Sequence, residues 1–336
     1  MTITEDDWRE LEAPQATPGR SIRRLHPEST HDMYLAVSHP GLRRMLVLKG
    51  DAPAAEGVAR SLSRLPPTAG LELQLNSLSR QDYELQVVLT ADDLREVFSP
   101  LVADIAGATH SAPSTADALL AAVERFERWQ HLLRSIGKDG LGPEIRRGLF
   151  GELLILRDYL MPSLPGLEAV NAWTGPTGTS QDFQLPSVAV EAKASTAKST
   201  HRIRISSERQ LDSTGTPALL LSLISLDERR GGSGESLNAM VDRIRERLTS
   251  VAARSRLDSL LIQAGYLPGH RDHYDEPRYT SRDLRFWSVR DDFPRLVESD
   301  LRPGVGDCTY HVDTSGLDDY LLTTDEVTNL IRGTHG

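Results

Sequence analysis

The 336-residue sequence predicts an α/β (α+β) protein. Two observations carry that expectation. Strand-like and helix-like segments alternate along the chain without internal repeats, and between residues 143 and 226 a helix, a hairpin, a strand, a second helix and an apolar strand follow one another. A chain of this length exceeds one small core. It is expected to divide into an N-terminal β-strand and helical region (1–138), a central core (139–230) and a C-terminal α/β extension that completes the fold (231–336).

The N-terminal region opens with four strand-like segments, "DMYLAVS", "RRMLVLKG", "LELQLNSL" and "YELQVVLT". Gly50, Pro53, Pro66, Pro67 and Gly70 punctuate them, as in an antiparallel β unit. Two helices should follow. The first runs from Ala91 to Gly107. The second opens at "PSTADALL", where Ser114 and Asp117 have capping-box spacing and Leu119, Val123, Phe126 and Leu133 form the apolar stripe. Gly142 and Pro143 then start a helix that Pro162 stops, over 143–161. After the hairpin come a strand at "HRIRIS", a helix at "SSERQL" and the strand "PALLLSLISL". Beyond Gly231 the pattern gives a helix with the basic face "RIRERL", another at 254–264, short strands at "RFWSV" and "TYHVD", and a last helix opening at Thr323.

Composition removes several functional classes. No apolar run approaches the roughly 20 residues that span a bilayer, and "MTITEDDWRELEAP" lacks the apolar region of a signal peptide, so a cytoplasmic protein without membrane contact is expected. The single cysteine, Cys308, excludes an internal disulfide and any multi-cysteine zinc site. The ten histidines show no H-E-x-x-H spacing, and "GHRDHYDE" reads as a solvated loop before it reads as a metal site. A net charge of -10 argues against a protein that coats nucleic acid unaided, while leaving room for a local basic groove.

Chemistry concentrates in "TSQDFQLPSVAVEAKAST". Folding it about Pro186 and Ser187 pairs Leu185 with Val188, Gln184 with Ala189, Phe183 with Val190 and Asp182 with Glu191. Strand side chains alternate with period two, so Asp182, Glu191 and Lys193 share the face opposite the apolar pairs. Two carboxylates about 5 Å apart repel by roughly 3 kcal/mol at an effective dielectric of 20. Lys193 offsets this in part, and an oxygen-seeking divalent cation such as Mg²⁺ would do so better.

Three further features have two readings each. Glu152 emerges from the apolar side of its helix, where a cation or a salt bridge to Arg147 would satisfy it. Gln210 stands at capping-box spacing from Ser207, which explains it without catalysis. Arg202 and Arg204 share one side of their strand, just after Lys198 and His201. From 195 to 210, Lys198, Arg202, Arg204 and Arg209 against Glu208 give a local net of +3, which suits phosphate and equally a solvated edge.

Asp182, Glu191-x-Lys193, a preceding helix with Glu152 and a following strand and helix with Gln210 resemble the PD-(D/E)XK nuclease core. More closely, "GLFGELLILRDYL", "WTGPTGTSQDFQL", "VAVEAKAST" and "RIRISSERQL" resemble the bacterial PD-(D/E)XK motif protein family found among restriction and phage-defence genes. The proline of the motif is absent, Gln181 standing before Asp182. The resemblance implies a restriction-endonuclease-like core with a mixed central sheet flanked by helices. It also implies a Mg²⁺-dependent DNA endonuclease, with Mn²⁺ able to substitute, acting in restriction or anti-phage defence. Asp182, Glu191 and the Ala192 carbonyl would hold the metal, and Glu152 a metal-bound water or a second ion. Lys193 would orient the attacking water, Gln210 would position Lys193 or the DNA backbone, and Lys198, Arg202 and Arg204 would face DNA. A homodimer fits cleavage of both strands. The acidic charge favours help from other defence-system proteins, and leaves as the alternative a non-catalytic DNA-binding or scaffold subunit.

Overall fold

Two sheets organise the chain, one in each of two compact units, Met1–Ile136 and Gly137–Gly336. The computed structural model describes residues 3–13, 17–63, 65, 70–135, 140–198 and 202–333. His201 and the expected boundary at 138/139 lie outside the described residues.

In the first unit the elements run α1 (Glu5–Leu11), β1 (Gly19–Leu25), β2 (Met33–His39), β3 (Arg43–Asp51), α2 (Ala52–Leu62), β4 (Leu71–Ser77), β5 (Asp82–Leu89), α3 (Arg95–His110) and α4 (Thr115–Ser135). The strands form one antiparallel sheet in the order β1-β2-β3-β5-β4. The four strands expected from sequence are β2 to β5. Helix α4 starts where Ser114 Oγ accepts the Asp117 N–H at 3.2 Å. It packs on α2, α3 and β3.

The second unit runs α5 (Pro143–Ile155), α6 (Gly166–Ala172), β6 (Phe183–Gln184), β7 (Ala189–Ser195), β8 (Arg202–Ile205), β9 (Leu219–Arg229), α7 (Leu237–Arg247), α8 (Val251–Gln263), β10 (Arg278–Ser288), β11 (Tyr310–Asp313), β12 (Leu321–Leu322) and α9 (Thr324–Arg332). Its main sheet has the order β12-β10-β9-β7-β6 and is mixed, because β7 and β9 are parallel while the other neighbours are antiparallel. The apolar run of β9 fits a central strand, buried from Leu219 through Ile224. Strands β8 and β11 form a separate antiparallel pair.

Each face of this sheet has its own cover. Helix α5 lies close to β7 because Gly151 meets Ala194: a Cβ at Gly151 would stand 3.0 Å from the Ala194 Cβ. On the opposite face Ala189, Leu219, Leu221 and Leu223 pack with Ile203 and Ile205 of β8 and with Val312 and Trp287. Glu191 and Lys193 belong to this second face, in register with Leu221 and Leu223. Among the described residues, no helix is long and apolar enough to cross a membrane.

Two expectations change. The helix of 143–161 is α-helical only to Ile155 and closes with a wider turn over Leu156–Leu160, where the Met161 N–H donates to the Leu156 carbonyl at 2.9 Å. No helix forms at "SSERQL". Residues 208–211 make a turn in which Gln210 Oε1 accepts the Ser206 N–H at 2.8 Å, and Ser207 Oγ accepts the Arg209 N–H at 3.2 Å. Side chains take the backbone donors that a helix would have used, and Asp212 then captures the Thr214 N–H at 2.9 Å.

A candidate metal-binding carboxylate site beside Lys193

The hairpin has the expected register, Phe183 opposite Val190 and Gln184 opposite Ala189, with the Leu185 N–H donating to the Val188 carbonyl at 2.9 Å. It is short, and Asp182 leaves the ladder instead of facing Glu191 directly. The Asp182 carbonyl accepts the Thr174 and Gly175 N–H groups, both at 2.9 Å. Its carboxylate turns back so that Oδ2 accepts the Ala192 N–H at 2.8 Å.

Strand alternation explains why that donor is free. The Ala189 N–H donates to the Ala218 carbonyl on the β9 side, so Val190 and Ala192 direct their backbone groups toward β6. Strand β6 has ended before it reaches Ala192. Asp182 fills the gap for the N–H, and the Ala192 carbonyl faces the same open edge.

Glu152 reaches this edge from α5. Its Oε2 accepts the Trp173 indole N–H at 2.8 Å, and a Cβ at Gly175 would lie 2.9 Å from Asp182 Oδ1 and 3.4 Å from Glu152 Oε2. The two carboxylates therefore converge on the bare backbone of Gly175. Arg147, the other candidate partner of Glu152, pairs with Glu228 at 3.3 Å.

Glu191 is the deepest of the three acids, 1% exposed. Lys193 Nζ stands 2.7 Å from its Oε1 as a close ion pair, while Oε2 is buried without a hydrogen-bond partner among the described residues. The ammonium also donates to Gln210 Oε1 at 3.1 Å. Gln210 is thus held by the Ser206 N–H on one side and holds Lys193 on the other.

All three carboxyls are pushed toward the protonated form. Burial raises Glu191 to about 8, the Asp182 charge adding to it and Lys193 opposing it. Burial, then the Asp182 charge, hold Glu152 well above the usual range against the Trp173 N–H. Asp182 is raised by burial and restrained by the Ala192 N–H and Lys193. Deep carboxyls of this kind, one with an orphaned oxygen, fit a hard divalent cation, whose charge would stabilise their ionised forms. The three oxygens do not all lie within 4.8 Å of one another.

The basic residues stand apart from this convergence. Arg202 and Arg204 are exposed on the side of β8 away from the buried Ile203 and Ile205, and neither forms an ion pair among the described residues. Lys198 is exposed after β7. In "GHRDHYDE" the Asp275 carboxylate accepts from Asn238 at 2.8 Å, and no three-ligand group forms there among the described residues.

Residues 4–315 match the family model described as "Putative PD-(D/E)XK family member, (DUF4420)". The chain belongs to this PD-(D/E)XK family. The match bears out the likeness carried by the motif residues, and it extends across the N-terminal unit as well as the unit that bears the acids. No match was found among curated proteins or among solved structures. The mixed sheet with α5 against β7 is the restriction-endonuclease-like arrangement that the family implies. Two features of this candidate site had no role in the sequence reading: Trp173, donor to Glu152, and Gly175, where the acids meet. Both lie in "WTGPTGTSQD", whose glycines mark a loop and say nothing of what approaches it.

Proposed function

We propose that the protein is a Mg²⁺-dependent endonuclease that hydrolyses DNA phosphodiester bonds in restriction or anti-phage defence, with Mn²⁺ able to substitute. The observation that carries this reading is the buried Glu191 carboxylate, which sits beside Asp182 with a single lysine to offset both acids and with its Oε2 unpartnered among the described residues. A fold gains nothing in stability from such a group, so its use lies in what it binds.

Asp182, Glu191 and the Ala192 carbonyl would hold the cation, and Glu152 would complete its surroundings. Bound there, the cation supplies a Lewis acid for the phosphoryl oxygens. Lys193 orients the attacking water toward phosphorus and balances the negative charge that grows on the phosphoryl group. Gln210 fixes the ammonium so that little ordering is left to the reaction. Arg202, Arg204 and Lys198 offer positive charge to the DNA backbone. Residues 139–230 would supply the chemistry, and 231–336 the strands that complete the sheet. The net charge of -10 supports a need for partner proteins in capturing DNA, and a homodimer would serve cleavage of both strands.

The test is incubation of the purified protein with varied DNA substrates, with and without Mg²⁺ or Mn²⁺, beside Asp182→Ala and Lys193→Ala. Cation-dependent cleavage that both variants lose is the expected result. DNA binding without cleavage, alike in all three proteins and on every substrate, would instead mark a non-catalytic subunit.

A further inference from the structure

The first unit contains a second gathering of ligand atoms. His26 follows directly on β1 with φ +46°, and the Ser29 N–H donates to its carbonyl at 2.8 Å, closing a turn that carries Glu28. His110 is the last residue of α3. One ligand atom from each of His26, Glu28 and His110 lies within 4.8 Å of the other two. His26 Nδ1 is 3.1 Å from Glu28 Oε1, and His110 Nε2 is 4.0 Å from the same oxygen. The two imidazoles stack with centroids 4.5 Å apart.

Hydrogen bonding within the fold does not account for His110. Its Nδ1 is buried without a partner, and its Nε2 is too far from Glu28 for a hydrogen bond. Neither ring nitrogen is hydrogen-bonded among the described residues. The turn and the end of α3 are nevertheless fixed to each other, because His31 Nε2 lies 2.8 Å from the Ala112 carbonyl. That tether holds together the two backbone segments that carry the three side chains before any ion arrives.

We propose that His26, Glu28 and His110 bind a divalent metal ion of the zinc class. Two imidazoles and a carboxylate are borderline ligands that suit Zn²⁺ or Co²⁺ better than Mg²⁺, which prefers oxygen alone. Bonds of about 2.0–2.1 Å in a tetrahedral site put ligand atoms roughly 3.3 Å apart. The Glu28 separations of 3.1 Å and 4.0 Å bracket that figure, and Glu28, with 63% of its side chain exposed, is free to adjust. The two imidazoles would turn out of their stack to aim both lone pairs at one ion. A helix C-terminus adds a favourable field for a cation at His110. Three protein ligands leave one position to solvent, and the ion would pin the turn after β1 to the end of α3.

The test uses the full chain carrying Asp182→Asn and Glu191→Gln, so that the carboxylate site of the second unit cannot supply the signal. Co²⁺ is titrated and followed by its visible absorption, with Zn²⁺ added afterwards. One Co²⁺ per chain, displaced by Zn²⁺ and indifferent to excess Mg²⁺, is expected. His110→Ala should weaken binding at least about tenfold, as should Glu28→Gln, a change at an exposed residue that leaves the fold intact. Absence of Co²⁺ and Zn²⁺ uptake, or unchanged uptake in Glu28→Gln and His110→Ala, overturns the proposal. Neither result bears on DNA cleavage at the carboxylate site.

Discussion

Lys193 Nζ stands between two acceptors, 2.7 Å from Glu191 Oε1 and 3.1 Å from Gln210 Oε1. The ammonium therefore neutralises one side chain while being aimed by another. Lys193→Ala should lower the cleavage rate by about 10²–10⁴-fold with DNA affinity little changed. Gln210→Ala leaves the ammonium unaimed and should lower kcat by about tenfold at unchanged KM. Gln210→Glu keeps an acceptor for both Lys193 and the Ser206 N–H, and should recover part of the loss. Single-turnover cleavage of the three variants checks this; equal rates in Gln210→Ala and the parent protein would remove Gln210 from the site's working parts.

A pH dependence of stability follows from Glu191. In the unfolded chain its carboxyl ionises near the ordinary 4.5, whereas in the fold it keeps its proton until about 8. Between those values the native state holds the extra proton, so stability falls as pH rises, by up to about 1.4 kcal/mol per pH unit. Asp182 and Glu152 are raised as well and act in the same direction. Urea unfolding without a divalent cation should show a midpoint that declines from about pH 5 to about pH 8, flatter in Glu191→Gln, and Mg²⁺ should restore stability at the alkaline end. A parent slope that Glu191→Gln leaves intact would show that another group is responsible.

Gly175 has the most direct steric consequence. A Cβ there would press on Asp182 Oδ1 at 2.9 Å and on the Asp182 Cα at 3.3 Å, the second being backbone that cannot swing aside. Gly175→Ala should cost about 1–3 kcal/mol as overpacking and weaken cation binding by about tenfold through displacement of Asp182. Thermal unfolding and Mn²⁺ titration read the two effects separately.

How much was legible in the sequence depended on where the signal was held. Strands β2, β3 and β5 were readable as short apolar runs because most of each is buried, and the hairpin register because its side chains alternate between the two faces. β1 was missed because, as an edge strand, its less exposed face carries Ser21 and Arg23 beside Leu25, so "GRSIRRL" shows no apolar alternation. α2 was missed because its buried residues are Ala54, Ala55 and Val58, too small to form a visible stripe. At the site, Glu191, Lys193 and Asp182 were found from alternation along one hairpin. The turn of Asp182 toward Ala192 was not, because it depends on where β6 stops. Gln210 was read as a possible cap for a helix that the side-chain bonds of residues 206–214 prevent. The grouping of His26, Glu28 and His110 joins a turn to a distant helix end, and no local spacing announces it.

Arg202 and Arg204 test whether the edge of β8 meets DNA. Both point away from the apolar side of their strand and, although Asp313 stands opposite Arg202, neither forms an ion pair among the described residues, so their guanidinium groups are available to phosphate. Each phosphate contact releases counterions, so removing one arginine should reduce the slope of log affinity against log salt by about 0.9. The Arg202→Ala, Arg204→Ala double variant should lose about twice that, with the loss uniform across DNA sequences because phosphate contacts carry no base information. Cleavage at saturating DNA should stay near the parent rate, since neither residue approaches the carboxylates. Binding isotherms over a range of salt, read by fluorescence anisotropy on a catalytically inactive Lys193→Ala background, measure the slope directly. An unchanged slope in the double variant would make β8 a solvated edge and send the search for the DNA-facing surface elsewhere.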